Sequence, residues 1–263
     1  MSDIFLRKTQ DRSGFARHVL KKFKDSFSEK KVLVKPNIVS YESYPTTTHP
    51  DVVRNVLEIL EGYGCEIIVA DGPAQNAGDI ERIVENHPIN RVCKDFGLRL
   101  LNLHKFEFRN VKTDFGFSIK ISVLPYQVDY IISLPVLKTH PNTDLTGALK
   151  NQFGLLCAKD RHNPSKDLHQ VIAAINKEIK VDLFIVDGIE TYRNANEERW
   201  GGVRVYLGYM LAGKDPVALD SCGLWLLKGI DAGLNNKKLM DIEHIVYAEK
   251  LGVGSSEYKT LKI

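Results

Sequence analysis

Hydrophobic and polar positions alternate along the chain in a way that predicts alternating strands and helices. The first clear unit is a strand over 31–35, a helix with its apolar face over 52–60, and a nearly continuous apolar strand over 65–70. Thr48 is the predicted N-cap of that helix, and Pro50 occupies its first turn. A strand, a helix and a strand in this order predict a parallel βαβ unit with a right-handed crossover.

The same alternation continues to residue 251. We expect a helix over 79–96 that is broken at Pro88, and an antiparallel hairpin over 106–123 with its turn at 114–116. The remaining predicted elements are strands over 98–103, 129–134, 183–187 and 205–212 and helices over 145–156, 168–179, 217–227 and 242–251. This order predicts a single α/β domain over 1–263 with a mostly parallel open sheet, flanking helices and an antiparallel β-hairpin excursion.

Composition and charge are those of a globular chain and exclude several classes. The chain has 263 residues, of which 43% are hydrophobic and 26% are charged, so it can bury a substantial core. Its net charge of +3 is small, and its basic residues form no stripe interleaved with aromatics, so nucleic-acid binding is not expected. The longest apolar runs fall short of the roughly 20 residues that cross a bilayer, and the N-terminus has no apolar signal region. We expect a cytoplasmic protein without membrane association, and association of identical chains stays open.

The four cysteines are widely separated. Cys65, Cys93, Cys157 and Cys222 form no C-x-x-C pair of the kind used by zinc, redox or iron–sulfur sites. We therefore expect reduced thiols and no iron–sulfur cluster, while a divalent cation bound by carboxylates stays open.

Polar side chains follow nearly every predicted core strand. Because the carboxyl ends of parallel strands meet at one edge of a sheet, we expect these side chains to converge there. Turn chemistry alone explains an Asp-Gly pair, but a turn does not require lysine at the tip of a strand. The residues concerned are Lys35, Asn37, Asp71, Lys138, His140, Asp187, Lys214 and Asp215, joined by Lys150 and Asn151 from the next predicted helix.

These residue types predict a site for a small anion, a carboxylate or a phosphate. Lys35, Lys138 and Lys150 are expected to hold the anion, with Asn37 and Asn151 as further ligand contacts. A lysine in a cleft wall has a lowered pKa, so Lys138 is also a candidate acid, base or amine nucleophile.

Histidines and carboxylates complete the predicted site. His140 and His162 are candidate acid and base, because imidazole titrates near neutral pH. Asp71 and Asp187 are expected to contact the ligand, and Asp187 and Asp215 to orient the two histidines or hold a divalent cation. Asp215 and Asp220 are candidate ligands of a divalent cation, although Asp215 also fits the N-cap of a helix that begins at Pro216.

A series of short motifs carries a family resemblance. The chain has no phosphate-binding P-loop, no G-x-G-x-x-G, no H-E-x-x-H and no G-x-S-x-G. Over residues 31–225 it resembles the domain-of-unknown-function family numbered 362. The motifs are Val32-Leu33-Val34-Lys35-Pro36-Asn37, Thr48-His49-Pro50, Leu134-Pro135-x-x-Lys138-Thr139-His140, Thr146-Gly147-Ala148-Leu149-Lys150-Asn151, Val186-Asp187-Gly188 and Asp215-Pro216-Val217-Ala218-x-Asp220.

The resemblance implies an α/β fold more strongly than it implies an activity. Many relatives carry a ferredoxin-like module with two four-iron clusters, whose cysteines this chain lacks. The family is also distantly similar in architecture to the lactate racemase group, which uses a lysine-tethered nickel pincer nucleotide and pairs of histidines. By that analogy, Lys138 or Lys150 would be the tethering lysine, and His140 and His162 would be the pair of histidines.

Two classes of function follow. The first is an anion-binding protein with proton-transfer chemistry, an isomerase or racemase-like enzyme. The second is a non-catalytic accessory or scaffold protein for metal delivery or for an iron–sulfur partner. An enzyme predicts a ligand-sized pocket around Lys138, whereas a scaffold predicts an exposed apolar patch such as the hairpin over 106–123.

Overall fold

The computed structural model describes residues 1–161 and 163–263, so the predicted role of His162 lies outside the described residues. The strands are β1 Ser2–Lys8, β2 Lys31–Pro36, β3 Glu66–Asp71, β4 Leu100–Asn102, β5 Phe108–Lys112, β6 Ser118–Ser122, β7 Tyr130–Leu134, β8 Lys138–His140, β9 Asp144–Thr146, β10 Leu183–Arg193, β11 Val203–Gly213 and β12 Tyr258–Lys262. The α-helices are α1 Arg12–Phe27, α2 Pro50–Gly62, α3 Ile80–Asn86, α4 Pro88–Asp95, α5 Ala148–Asn151, α6 Ala158–Arg161, α7 Leu168–Glu178, α8 Pro216–Lys228 and α9 Glu243–Lys250.

Eight of the described strands form one sheet in the order β12-β1-β11-β10-β7-β2-β3-β4. The strands from β10 to β4 pair in parallel, as do β1 and β12, whereas β11 is antiparallel to both of its neighbours. The pairs β5–β6 and β8–β9 form two small antiparallel sheets. The predicted fold class, a mostly parallel sheet with flanking helices and a hairpin over 106–123, is confirmed.

Alternate residues of the central strands belong to two apolar cores, one on each face of the sheet. In β2, Val32 and Val34 pack into the core that includes residues of α1, α2 and α4. Leu33 between them packs into the core that includes residues of α7, α8 and α9. Burial on both faces explains the nearly continuous apolar runs of these strands. In the described part of the chain, no helix is long and apolar enough to cross a membrane.

Three elements near the chain termini were not predicted. β1 and α1 precede the first predicted unit, and β12 follows the last one. Strongly charged sequence surrounds their apolar residues, among them Ile4 in β1 and Phe15 in α1. The two strands are placed by long-range pairing, β1 with β11 and β12 with β1, and α1 by burial of its apolar face in the core, rather than by a local apolar pattern.

The helix predicted over 145–156 is wrong. That segment contains β9, the short α5 and a 3-10 turn at Gln152–Leu155. Asp220 of α8 accepts hydrogen bonds from the backbone N–H groups of Ala148 (2.6 Å) and Leu149 (3.0 Å). A carboxylate 72 residues further along the chain therefore determines where this helix begins, and local periodicity cannot reveal it.

The N-cap predicted at Thr48 is wrong by one residue, whereas the predicted break at Pro88 is confirmed. His49 Nδ1 accepts the cap hydrogen bond from the Asp51 N–H at 3.2 Å. Thr48 Oγ1 instead accepts from the Asn37 N–H (2.8 Å) and donates to the Leu134 carbonyl (2.6 Å). Thr48 thereby joins the carboxyl ends of β2 and β7.

Candidate functional site

The carboxyl ends of the parallel strands open into a cavity of about 310 Å³. The β8–β9 hairpin after β7 contributes Lys138, His140 and Thr146, and α5 contributes Lys150 and Asn151. The site arises at this edge because several parallel strands end there together. Of the residues predicted from the sequence, the cavity wall contains Asn37, Asp71, Lys138, His140, Lys150 and Asn151.

Lys138 lies almost completely buried in the cavity wall, with 1% of its surface exposed. Its ammonium donates a hydrogen bond to the Thr46 carbonyl and forms no ion pair with a described residue. Burial lowers the pKa of Lys138 to about 7, and the charge of Lys150 lowers it as well, while Glu197 and Glu42 oppose the shift. Near neutral pH this side chain is therefore present both as ammonium and as free amine.

Lys150 brings a second cation to the same wall. Its ammonium lies 5.1 Å from the ring centroid of Phe153 and has no hydrogen bond or ion pair to any residue that the structure describes. Burial and repulsion by Arg161 lower the pKa of Lys150 to about 8, and Glu197 acts against them. An anion in the cavity would restore the favoured charged state of both lysines.

Arg161 is a third cation that the sequence motifs did not indicate. Its guanidinium donates to the carbonyls of Gly72 and Pro73 (both 2.8 Å), Leu156 (3.1 Å) and Gly154 (2.6 Å). These bonds join α6 to the turn after β3. Burial lowers the pKa of Arg161 to about 10, so the group is charged at neutral pH. The only sequence signal for it is the basic character of residues 159–164.

Lys35 does not reach the cavity wall. Its ammonium forms a buried ion pair with Asp71 Oδ1 at 2.7 Å. Asp71 Oδ2 accepts a further hydrogen bond from the Ile38 N–H at 2.6 Å. Lys35, predicted as an anion contact, lies behind the wall and is paired instead with Asp71, which lines it.

Replacing Gly154 by alanine should destabilise this ion pair. A Cβ at residue 154 would lie 2.9 Å from Lys35 Nζ and would overlap Asp71 Oδ1. Because both groups are buried, we expect the free energy of unfolding to fall by about 1–3 kcal/mol in urea titrations. The control is Gly62→Ala at the end of α2, where a Cβ meets nothing within 4 Å. Equal stability of the two variants would contradict the packing described for Gly154.

The loop between β10 and β11 closes one side of the cavity. Glu197 lines the wall, is 4% exposed, and accepts a hydrogen bond from Arg199 Nε at 2.8 Å. Arg199 Nη1 also donates to the carbonyl of Asn76 at 3.1 Å, and Asn76 lines the cavity. Trp200 lies at the rim and is largely exposed. None of these residues was singled out from the sequence, where they resemble an ordinary polar turn.

Two buried polar atoms of the cavity wall have no partner among the described residues. They are Thr146 Oγ1 and Asn151 Oδ1, and the two residues are 6% and 4% exposed. The amide nitrogen of Asn151 donates to Ser133 Oγ at 2.8 Å, which fixes the side chain's position. A buried polar atom without a partner costs free energy, so a ligand or water is expected to satisfy both.

Asp187 lies outside the cavity wall, contrary to the ligand contact predicted for it. Asp187 accepts hydrogen bonds from the Tyr44 hydroxyl (2.9 Å) and from Arg12 Nε (2.7 Å). Tyr44 belongs to the loop that carries Thr46, whose carbonyl accepts from Lys138. Asp187 therefore anchors the loop that positions Lys138.

Asp215 and Asp220 are also away from the cavity. Asp215 and Lys214 follow β11, the antiparallel strand, and so lie at the opposite edge from the one predicted. Asp215 accepts from the N–H groups of Val217 (2.9 Å) and Ala218 (3.1 Å), which confirms its alternative prediction as an N-cap. Asp220 binds the backbone at the start of α5.

The described residues do not form a metal site. No group of three or more described His, Cys, Asp or Glu side chains lies where it could hold a metal ion. The carboxylates of Asp215 and Asp220 are used by backbone amides instead, so the structure brings no divalent-cation site together from them.

His140 lines the cavity as predicted. Its Nδ1 accepts a hydrogen bond from the Asn142 N–H at 3.1 Å, so the neutral ring carries its proton on Nε2. The cavity wall therefore contains both the N–H group of His140 and the amine of Lys138, whose pKa is about 7.

His244 and His87 are buried histidines outside the cavity wall. His244 of α9 stacks on His169 of α7 with ring centroids 5.9 Å apart. Burial lowers the pKa of His244 to about 3, and His169 and Lys150 lower it further. Burial likewise lowers the pKa of His87 to about 4.

Acidification should therefore destabilise the fold through these two histidines. In the unfolded chain they take up protons below about pH 6.5, whereas in the fold they remain neutral to about pH 4. The free energy of unfolding should fall between pH 7 and pH 5 by about 2 kcal/mol for each histidine. Urea titrations at both pH values measure this, and His244→Phe should make the fall about 2 kcal/mol smaller. An unchanged difference in that variant would contradict a neutral buried His244.

Comparisons with known proteins place the chain in a family. A thylakoid-associated protein of Synechocystis sp. (strain ATCC 27184 / PCC 6803 / Kazusa) is 28% identical to this chain over 199 residues. The match covers 72% of this chain and 60% of that protein, so the chain spans about three fifths of its relative's length. The structure of the lactate racemase apoprotein from Thermoanaerobacterium thermosaccharolyticum is also similar, with a TM-score of 0.49 and 12% sequence identity. The match covers 80% of this chain and 54% of that one. The family model DUF362, described as a domain of unknown function, matches residues 32–225. The chain therefore belongs to the DUF362 family.

Proposed function

We propose that the protein binds a small anion, a carboxylate or a phosphate, in the cavity at the carboxyl edge of its sheet. One observation carries this proposal. Lys138, Lys150 and Arg161 line the same cavity, and none of them forms an ion pair with a described residue. Buried charges are normally paired, because an unpaired one costs several kcal/mol. An anion between the three cations would supply the missing partner.

We also propose that a proton is exchanged with the bound anion. A general acid or base works best when its pKa lies near the working pH. The pKa of Lys138 is lowered to about 7, and His140 in the same wall carries its proton on Nε2. Lys138 and His140 are thus the proposed acid–base pair of an isomerase or racemase-like reaction in the cytoplasm, where the four free cysteines would remain reduced.

The alternative function, an accessory or scaffold protein, has less support. It predicted an exposed apolar patch on the hairpin over 106–123. Phe115 and Phe117 of that hairpin stack on one another with ring centroids 6.1 Å apart, and Phe115 also contacts Tyr247 of α9 at 5.5 Å. These aromatic rings pack against the core rather than forming an open surface.

Thermal unfolding in inorganic phosphate tests the proposal. At pH 7.5, phosphate at about ten times its Kd should stabilise the fold by about 1.4 kcal/mol and raise the Tm by roughly 3 °C over chloride of equal ionic strength. Lys259→Met serves as a control, because Lys259 is an exposed residue of β12 and its loss should leave the increase unchanged. An equal Tm in both salts, followed by the same result with acetate, would contradict anion binding.

A further inference from the structure

Resting on the proposed function, we infer that the ligand is a dianion that also carries hydroxyl groups, the chemistry of a small polyol or sugar phosphate monoester. Two properties of the cavity wall support this choice of substrate class. One is the excess of positive charge around it, and the other is the number of neutral polar groups in it.

The described cavity and its immediate partners contain more cations than carboxylates. The carboxylates in the wall, Asp71 and Glu197, are already paired with Lys35 and Arg199, which lie behind it. Glu42 is a third carboxylate that acts on Lys138. A bound anion favours the protonated form of Lys138 and Lys150. With both protonated, five cations (Lys35, Lys138, Lys150, Arg161 and Arg199) face three carboxylates (Asp71, Glu197 and Glu42), which leaves two positive charges.

An excess of two charges favours a dianion over a monocarboxylate. A phosphate monoester carries nearly two negative charges at pH 7.5, because its second pKa is about 6. It also presents three acceptor oxygens, which suit the ammonium groups of Lys138 and Lys150. A monocarboxylate would leave one buried cation without a counter-charge, and that costs binding free energy.

Neutral polar groups of the wall indicate the rest of the ligand. Thr146 Oγ1 and Asn151 Oδ1 are buried and have no partner within the described chain. Asn151 Oδ1 can only accept, so it needs a donor that the phosphate cannot supply. An ammonium group on the ligand would be repelled by the nearby cations, whereas a hydroxyl would not. Five asparagines line the wall: Asn37, Asn76, Asn142, Asn151 and Asn196. The amide nitrogens of Asn37, Asn151 and Asn196 already donate within the protein.

The size of the cavity agrees with a compact ligand. About 310 Å³ corresponds to about ten water molecules at ~30 Å³ each, room for roughly ten to fifteen non-hydrogen atoms. Trp200 lies at the rim of the cavity, with the Arg199 guanidinium 5.2 Å from its ring centroid.

Tryptophan fluorescence gives a direct test. The chain has two tryptophans, Trp200 at the cavity rim and Trp225, an exposed residue of α8 outside this cavity. Trp225→Phe therefore leaves Trp200 as the reporter. The probes, used at pH 7.5 and constant ionic strength, are glycerol 3-phosphate, propyl phosphate, glycerate, glycerol and inorganic phosphate. Propyl phosphate keeps the double charge without the hydroxyl groups, and glycerate keeps two hydroxyl groups with a single charge.

We expect glycerol 3-phosphate to bind at least about tenfold more tightly than propyl phosphate or glycerate, since each lacks one of the two features. Propyl phosphate that binds equally well would overturn the hydroxyl assignment, and glycerate that binds equally well would overturn the dianion assignment. If every anion failed to change both the fluorescence and the Tm, the proposed anion site itself would be wrong. The measurements thus distinguish a wrong proposal about the anion site from a wrong proposal about the substrate class.

Thr146→Val is the matched variant. It removes the hydroxyl without changing the shape of the side chain, and the hydroxyl has no partner in the described structure, so the Tm should not fall. Affinity for glycerol 3-phosphate should decrease several-fold, while affinity for propyl phosphate should not change. A parallel decrease for both ligands would contradict a hydroxyl contact at Thr146.

Discussion

Replacing Lys138 by methionine should weaken anion binding strongly and leave the fold at least as stable as before. The ammonium is buried, donates one hydrogen bond to Thr46 and has no ion pair with a described residue, so the fold bears the cost of its burial. An apolar side chain of similar length avoids that cost. A bound anion, however, loses a charged hydrogen-bond partner worth about 2 kcal/mol, so its Kd should rise about thirtyfold.

Phosphate titrations followed by Trp200 fluorescence measure the change in Kd, and urea titrations measure the stability. Lys259→Met is the control for the loss of one positive charge elsewhere on the molecule. Unchanged phosphate affinity in Lys138→Met would remove Lys138 from the site. A large loss of stability would instead mean that Lys138 holds the fold together.

Replacing Lys35 by methionine should have the opposite effect on stability. Lys35 is buried like Lys138, but its ammonium forms an ion pair with Asp71 at 2.7 Å. Removal of the lysine leaves the Asp71 carboxylate buried without its partner, so we expect the free energy of unfolding to fall by about 3–5 kcal/mol. Urea titrations of the wild type and the variant measure the difference.

The double variant Lys35→Met/Asp71→Asn separates the charge effect from packing. It removes both charges, and the amide oxygen introduced at position 71 can still accept the hydrogen bond from the Ile38 N–H. We expect it to recover most of the stability that Lys35→Met loses. Equal instability of the single and double variants would show that the unpaired carboxylate is not the cause. The two lysines thus differ in effect because of their partners and not because of their burial.

The sequence by itself determined the class of fold and the edge of the sheet that carries the cavity. Apolar runs of strand length that alternate with amphipathic segments require a layered α/β structure, because both faces of such strands must be covered. Lys138, His140 and Lys150 were found from their position after a buried strand, since parallel strands end at the same edge. Local sequence was sufficient for these predictions because the apolar run of a strand and the polar residues after it are neighbours in the chain.

Only the tertiary structure decided which polar residues meet in the cavity. β11 runs against its neighbours, so Asp215 lies at the opposite edge although it follows a strand as Asp71 does. Lys35 forms an ion pair with Asp71, and Asp187 accepts hydrogen bonds from Arg12 and Tyr44. In each case the partners are distant in the chain. Arg161 comes from the short helix α6 and Glu197 from a loop, and neither belongs to a motif. These outcomes depend on strand direction and on pairs of residues far apart in sequence, for which local periodicity contains no signal.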